Sequence, residues 1–204
     1  MTMYKPCLPA WLANLLPSCK SSEITIMKNF FIALLLGISA LHGQAQDALT
    51  TVPSVDVPRY MGAWFEIAKF PNRFQKMCAS NTSAHYSARP DGTLSVRNRC
   101  TDVDGKVKEV EGQAKQIGNA TSPKLEVRFA PAWLSFLPFV WGDYWVIDLD
   151  ADYQLVAVSE PKREFLWILS RTPTVNAKAY DELLARLRAQ SLDTSKLERT
   201  RHGG

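Results

Sequence analysis

The sequence predicts an all-β fold: an eight-stranded antiparallel up-and-down barrel with one C-terminal α-helix packed against its outside. Short segments that alternate apolar and polar residues recur from about residue 62 to residue 170, and turn residues such as Asp-Gly separate them. A single later segment has the periodicity of a helix. Consecutive short strands favour a meander, and closing the meander into a barrel removes the unpaired edges that an open sheet would carry.

The first quarter of the chain differs from the rest and is interpreted as an export signal. A basic residue, an apolar run from Phe30 to Gly37 and small residues ending at Ala45 follow one another, which is the order found in a secretory signal peptide. The run has eight residues, whereas a bilayer span needs ~20. We therefore predict that residues 1–26 are upstream translation outside the fold, that residues 27–45 form the signal peptide and that residues 46–204 form one domain.

An alternative interpretation takes Met1 as the true start and Cys19 as a lipid-modified cysteine. Pro17 lies just before the small residue that precedes Cys19, which fits a lipoprotein signal poorly, and a second complete signal would then follow it. The first interpretation predicts export, with the periplasm as the expected location. The alternative predicts attachment to the outer membrane.

Charge and cysteine usage narrow the possible functions. The 24 Lys and Arg residues exceed the 20 Asp and Glu residues by four, and they are spread without a basic run, so no nucleic-acid partner is predicted. Cys78 and Cys100 follow the predicted signal, and two cysteines in an oxidising compartment most simply form one disulfide. The histidines, His42, His85 and His202, form no clustered set, so neither a metal site nor a cofactor is predicted.

Turn residues place the strands in order. The first strand opens with Gly62-Ala63-Trp64, alternates as far as Lys69 and ends at Pro71-Asn72. Asp91-Gly92 between the next two alternating segments is a strong hairpin signal, and Asp104-Gly105 marks the following turn. The later predicted strands span residues 81–88, 93–100, 107–117, 124–129, 144–149, 155–159 and 165–170.

The helix near the C-terminus is predicted from its start signal and its apolar stripe. Thr174 is the predicted N-cap, and Glu182 and Arg186 are expected to pair on the polar side of the helix. A single stripe indicates a helix that packs on the barrel, and a short strand within residues 194–199 is predicted to return to the sheet. The residues recurring at i, i+3, i+4 and i+7 are Tyr180, Leu183, Leu184 and Leu187.

Three separated motifs resemble those of the lipocalin family and occur in the family's order. The first spans residues 62–67 and follows the segment 55–60, where the family places a short 3₁₀ turn at the base of the barrel. The second lies around residues 143–153, and the third, residues 166–173, directly precedes the predicted helix. Within the family the chain is similar to the outer-lipocalin branch of bacterial lipocalins and apolipoprotein D, from about Val55 to Leu197.

The resemblance implies structural roles for the first and third motifs. In the family, the positions that match Trp64 and Arg171 form a cation–π pair, a contact worth roughly 0.5–2 kcal/mol. Gly62 allows the tight turn into the strand, and the indole is large enough to fill one barrel end. We assign Gly62, Trp64 and Arg171 to closure of the barrel. In the alternative, Trp64 is an ordinary core residue and Arg171 a solvated strand end.

The predicted binding site lies inside the barrel. An eight-stranded barrel can hold one small ligand, and its side chains alternate inward and outward. The apolar set that includes Leu94 is expected to point inward, as are Leu125 and Phe129, whereas His85 points outward. An aromatic wall with a few polar groups is typical of a pocket for apolar ligands; the alternative is a solid core. The predicted ligand-binding residues are Tyr86, Val96, Asn98 and Val127, together with Trp145 and Ile147, which are inward by resemblance to the family.

Residues 130–142 form an unusual segment, because two prolines and a glycine interrupt a strongly apolar and aromatic stretch. Such a loop is a candidate for membrane-surface contact, ligand passage or a dimer surface. In the alternative, it folds back on the barrel or packs on the helix. The protein is expected to be a monomer or a homodimer.

The resemblance implies an exported protein that binds and transports fatty acids, lysophospholipids or similar amphiphiles, with membrane maintenance as its expected role, and that is not an enzyme. A second hypothesis is a lipid-modifying isomerase or hydrolase on the same barrel, in which a reduced Cys78 would act as nucleophile. A third is an inert barrel whose outer face binds a protein. No catalytic residues are predicted, since Cys78 and Cys100 flank the first hairpin and are better explained as a disulfide.

Overall fold

The computed structural model describes residues 47–203, so the predicted signal peptide and Cys19 lie outside the described residues. Its α-helices are α1 (Val57–Tyr60) and α2 (Ala177–Ala189). Short 3₁₀ turns occupy Arg73–Gln75, Ala132–Leu134, Pro138–Val140 and Thr194–Lys196. The strands are β1 (Gly62–Lys69), β2 (Ser80–Ala88), β3 (Leu94–Thr101), β4 (Val107–Gln116), β5 (Lys124–Arg128), β6 (Gly142–Leu149), β7 (Leu155–Ser159), β8 (Leu166–Ser170) and β9 (Glu198–Arg199).

Strands β1 to β8 form a closed antiparallel barrel. Each pairs with the next along the chain, and β1 closes the ring by pairing with both β2 and β8. The predicted eight-stranded barrel is confirmed, and the predicted strand boundaries fall within about two residues of the observed ones. The predicted terminal strand is confirmed as well: β9 pairs with β1 at Ala68 and Lys69, beyond the stretch of β1 that pairs with β2.

Because the strands alternate in direction, their connections alternate between two ends. We call the end where β1 begins, next to α1, the closed end, and the opposite end the open end. Connections at the closed end are residues 89–93, 117–123 and 150–154. Connections at the open end are residues 70–79, 102–106, 129–141 and 160–165.

Two apolar clusters lie on the two sides of the barrel wall. The inner cluster contains Trp64 and Val96, and the outer cluster packs Leu183 and Leu187 of α2 against the wall. Strand β7 shows the division, because Val156 and Val158 belong to the inner cluster while Leu155 and Ala157 belong to the outer one. All of β7 is buried. The wall beneath the helix is therefore apolar and covered on both faces.

The helix α2 packs as its apolar stripe predicts, but its start differs. The N-cap is Asn176, whose side-chain oxygen accepts from the Ala179 N–H at 3.2 Å. The prediction of Thr174 is wrong, because Asn176 directly precedes the first helical turn and is a stronger capping residue. Leu183 and Leu187 of the stripe are completely buried.

The predicted pairing of Glu182 with Arg186 is also wrong. Arg186 donates through Nε and Nη2 to both carboxylate oxygens of Asp148 on β6, at 2.6 and 3.0 Å. This two-point geometry suits a guanidinium and a carboxylate better than a single helical contact does. Glu182 instead lies 3.9 Å from Lys178, one turn earlier.

A disulfide joins Cys78, in the first connection of the open end, to Cys100 on β3. The predicted pairing is thus confirmed. Within residues 47–203, we find no helix with both the length and the apolar character that a bilayer crossing requires.

Candidate functional site

The closed end of the barrel is sealed by Trp64 and Arg171. Trp64 is fully buried, and the Arg171 guanidinium carbon lies 3.9 Å from the centroid of its ring. The indole N–H donates to the Tyr60 carbonyl at 2.9 Å. The guanidinium also donates to four backbone carbonyls, those of Arg59, Met61, Ala63 and Tyr153. Arg171 therefore joins α1, the start of β1 and the 150–154 connection in one hydrogen-bonded unit.

Gly62 begins β1 with a φ of +95°, a backbone conformation that side chains with a Cβ rarely adopt. A Cβ at this position would lie 3.5 Å from Nη1 of Arg171, which is ordinary contact. The backbone conformation, rather than a lack of space, explains the glycine. It lets the chain turn from α1 into β1 directly beneath Trp64.

The lumen, the space inside the barrel, receives four of the predicted ligand-binding residues. Tyr86 and Val96 belong to the inner cluster, and Val127 packs against it. Asn98 lies on the same face of β3 as Val96 and pairs in register with Val110. These side chains lie together on the inner surface of the barrel.

Trp145 and Ile147 do not reach the lumen, and their predicted inward orientation is wrong. Ile147 belongs to the outer cluster beneath α2, and Trp145 packs against that cluster. Val146, between them, belongs to the inner cluster. Lys124 on β5 places its ammonium 4.1 Å from the centroid of the Trp145 ring. Both alternating sets of β6 are apolar, because this wall is covered on both faces, so the pattern alone does not distinguish inside from outside.

The lumen wall becomes accessible toward the open end. Val110, which pairs with the inward Asn98, is 47% exposed although it lies on the lumen face. Phe129 follows the last residue of β5 and packs on Gly112, where a Cβ would come within 2.6 Å of its ring. Gly112 thus leaves the space that the Phe129 ring occupies. An apolar, solvent-accessible wall at the barrel mouth is suited to contact with an apolar ligand.

Three phenols meet at the bottom of the lumen. The Tyr144 hydroxyl lies 2.8 Å from the Tyr60 hydroxyl and 2.8 Å from the Tyr86 hydroxyl. Burial, the largest cause in each case, raises the pKa of all three groups, to about 12 for Tyr86. The phenols therefore stay protonated at neutral pH.

A second polar group lies further toward the open end, around the buried carboxyl of Glu66. Gln75, from the 70–79 connection, and Thr200, from the C-terminal segment, each donate to one of its oxygens at 2.6 Å. The side-chain oxygen of Gln75 accepts from the Trp167 indole N–H at 2.9 Å. Burial raises the pKa of the Glu66 carboxyl, and the hydrogen bonds from Thr200 and Gln75 oppose that effect. This group ties an open-end connection to the barrel wall.

Large apolar side chains project from the open end itself. Trp133, Phe136 and Phe139, all in the 129–141 connection, are 72%, 75% and 79% exposed. Phe74 and Met77, in the neighbouring 70–79 connection, are about half exposed. Each of the two 3₁₀ turns in the longer connection starts at a proline: Pro131 is the N-cap of one, and Pro138 is the first residue of the other.

The sequence prediction of the lumen lacks Tyr60, Tyr144 and Glu66. Tyr60 lies four residues before Trp64, and the resemblance of this first motif to the family is the signal that points to it. Tyr144 and Trp145 are neighbours on one strand and point to opposite faces, so predicting Trp145 inward implies that Tyr144 points outward. The structure also provides no group of three or more His, Cys, Asp and Glu side chains suited to a metal ion within its described range.

Comparison with known proteins gives one consistent family. The family model of the lipocalin-like domain matches residues 55–202. Temperature-induced lipocalin-1 from Arabidopsis thaliana is 42% identical over 154 residues, which cover 74% of this chain and 82% of that protein. Outer membrane lipoprotein Blc from Escherichia coli (strain K12) is 41% identical over 149 residues, covering 72% and 80%. The structure of insecticyanin from the tobacco hornworm Manduca sexta is similar in fold, with a TM-score of 0.59 at 20% identity, over 76% of this chain and 85% of that one.

Proposed function

The chain belongs to the lipocalin family, and from this membership we propose that it binds and carries small hydrophobic ligands, such as fatty acids or lysophospholipids, in its lumen. The observation that supports the proposal is the lumen wall at Val110, which is apolar, faces inward and is 47% exposed. Removing an acyl chain from water against such a wall is favourable by ~25 cal/mol per Å² of apolar area.

The disulfide bears on the competing hypothesis of a lipid-modifying enzyme. A catalytic cysteine acts as a thiolate, whereas Cys78 is bonded to Cys100. In this oxidised state Cys78 has no thiolate to offer a substrate. We therefore favour carriage over catalysis at this position.

We further propose that the open end contacts a membrane surface and that the protein is exported to the periplasm, in association with the outer membrane. The support for contact is the group of exposed aromatic side chains at Trp133, Phe136 and Phe139. They stand at the end where the lumen wall is accessible, so a ligand could pass between bilayer and barrel through a single surface.

Two other observations support export to the periplasm and association with the outer membrane. A disulfide is typical of an oxidising compartment, and the bacterial relative described above is named as an outer membrane lipoprotein.

Native mass spectrometry of the purified chain tests carriage. We expect a co-purified lipid that dissociates on denaturation, and rebinding of lysophospholipid or fatty acid after delipidation. Val110→Trp, which adds bulk on the lumen face, is expected to weaken rebinding at least tenfold. Glu111→Trp, at the next position on the outer face, is the matched control. A barrel that purifies empty and rebinds neither lipid contradicts the proposal, and release of a chemically altered lipid would favour the enzyme instead.

A further inference from the structure

The three phenols form a floor across the lumen. Strands β2 and β6 lie four strands apart in either direction around the eight-stranded ring, and so face each other. Tyr86 extends from β2 and Tyr144 from β6, and their hydroxyls meet at 2.8 Å. Tyr86 pairs in register with Gly62 at the start of β1, which places the floor near the closed end. A ligand that enters from the open end reaches this floor last.

The floor has one more hydrogen-bond donor than it uses. Tyr60, Tyr144 and Tyr86 carry three O–H groups, and the two bonds between them consume two protons. Whichever direction the bonds take, one O–H remains, and residues 47–203 offer it no further hydrogen bond. A buried donor without a partner is unfavourable, because it has given up its hydrogen bond to water. An acceptor on a ligand would remove that cost.

The lumen wall supplies the complementary atom. The side-chain oxygen Oδ1 of Asn98 is buried and has no hydrogen-bond partner within the described range. Asn98 lies on the lumen face of β3, two positions from Val96, which pairs with Tyr86. The same lumen therefore contains an unused donor on its floor and an unused acceptor on its wall.

A hydroxyl group is the chemistry that satisfies both atoms, because it accepts one hydrogen bond and donates another. A carboxylate only accepts, and it would leave Asn98 Oδ1 unpaired. A carboxylate would also have to leave water for a buried site, at a cost of several kcal/mol. A terminal methyl group would leave both atoms unpaired.

We propose that the phenol floor and Asn98 together bind a neutral hydroxyl group at the inserted end of an apolar ligand. The hydroxyl oxygen accepts from the spare phenol O–H, and its proton is donated to Asn98 Oδ1. The site thus selects acyl chains that carry an alcohol at the end distant from the headgroup. This inference rests on the proposed function, since it requires that the lumen takes an apolar chain.

The test compares palmitate with ω-hydroxypalmitate on the delipidated protein, by displacement of a fluorescent fatty acid. We expect the hydroxylated chain to bind about tenfold more tightly, in line with two hydrogen bonds inside a buried site. The triple variant Tyr60→Phe, Tyr86→Phe, Tyr144→Phe is expected to lose this preference while it still binds palmitate. Asn98→Leu is expected to lose about half of the preference on a logarithmic scale.

Donor counting supplies a sharper control. A two-membered phenol chain still has one spare O–H, so Tyr60→Phe alone is expected to keep most of the preference. Equal affinity of the wild type for both probes overturns the inference, as does a preference that survives in both Asn98→Leu and the triple variant. Asn98→Leu remains decisive if the triple variant does not fold. Failure of the wild type to bind either probe would instead refute the proposed function.

Discussion

The two ends of the barrel use aromatic side chains in opposite ways. At the closed end Trp64 is buried beneath Arg171, whose guanidinium donates to four backbone carbonyls and lies over the indole ring. At the open end Trp133 is 72% exposed, within a connection interrupted by prolines. The same residue type therefore holds the fold at one end and remains available to a partner at the other.

The contrast follows from what surrounds each ring. Trp64 follows a glycine that turns the chain tightly, and its N–H has a carbonyl partner at Tyr60. Trp133 lies between Pro131 and Pro138, which keep its own segment out of a regular strand or helix, and its ring is exposed. Burial with satisfied polar atoms stabilises the barrel, whereas exposure of large apolar surface is typical of an interaction site. We expect stability to depend on the closed end and association to depend on the open end.

The largest expected effect is a difference in the free energy of unfolding between two variants, each of which loses one tryptophan ring. Trp64→Ala removes a fully buried ring and should lower the free energy of unfolding by ~3–5 kcal/mol. Trp133→Ala removes an exposed ring and should change it by less than ~0.5 kcal/mol. Urea denaturation followed by circular dichroism, without reductant, measures both. Similar losses for the two variants would contradict the division of roles between the ends.

A smaller effect is expected when Arg171 is replaced by lysine. Arg171→Lys keeps the positive charge but cannot maintain the fork of hydrogen bonds to separate carbonyls. We expect a loss of ~1–3 kcal/mol, because up to four backbone carbonyls, two of them part-buried, lose the donors that Arg171 supplies. Arg199→Lys is a matched control, since Arg199 is exposed on β9 and lies over Tyr180. Equal changes in unfolding free energy for both variants would show that charge, not hydrogen-bond geometry, matters at position 171.

How far the sequence predicts this molecule also differs by region. The closed end follows from local motifs, because Gly62 and Trp64 are two residues apart in one motif and Arg171 lies at a recognisable strand end. The hairpin of β2 and β3 follows from Asp91-Gly92, and alternation orients its residues correctly because its outer face is polar. Where one face of a strand is polar and the other apolar, the alternation of residues shows which side chains point into the barrel.

The candidate site is less predictable because its parts meet only in three dimensions. The family resemblance predicts Trp145 inward, yet the wall of β6 to β8 is apolar on both faces, so the alternation of residues does not show which face is inside. Tyr86 and Tyr144 are 58 residues apart in the sequence, and their phenols meet only because the barrel closes. Glu66 acquires its environment from Gln75 and Thr200, which a local pattern does not bring together.

Membrane association tests the open end directly. The triple variant Trp133→Ser, Phe136→Ser, Phe139→Ser removes the three exposed rings, and each large side chain contributes about 1.5–3 kcal/mol when it leaves water. Since such rings insert only partly, we expect at least tenfold weaker binding to phospholipid vesicles in a sedimentation assay. Unfolding free energy should stay within about 1 kcal/mol of the wild type.

The control for this prediction removes apolar surface elsewhere. Ile117, at the closed end, is 41% exposed, and Ile117→Ser should leave vesicle binding unchanged. If it weakens binding as much as the open-end variant does, contact is not confined to the open end. Unchanged binding in the triple variant would refute membrane contact through residues 130–142.

The smallest expected effect concerns Glu66, the buried carboxyl that ties the open end to the wall. Its pKa is raised by burial, so the folded protein keeps this proton at pH values where the unfolded chain has lost it. Below the unfolded pKa both states are protonated and the group has no effect. As pH rises from there through the folded pKa, the unfolding free energy falls, by less than ~1.4 kcal/mol per pH unit because at most one proton is involved.

Glu66→Gln removes this titration while it retains the shape of the side chain. The variant should therefore gain stability relative to the wild type as pH increases across that window, and urea denaturation from about pH 4 to about pH 8 measures the difference. Glu182→Gln, on the exposed side of α2, is the matched control. Parallel stability curves for wild type and Glu66→Gln would mean that the carboxyl has the same pKa in the folded and the unfolded protein. The hydrogen bonds from Gln75 and Thr200 would then fully offset the effect of burial on that pKa.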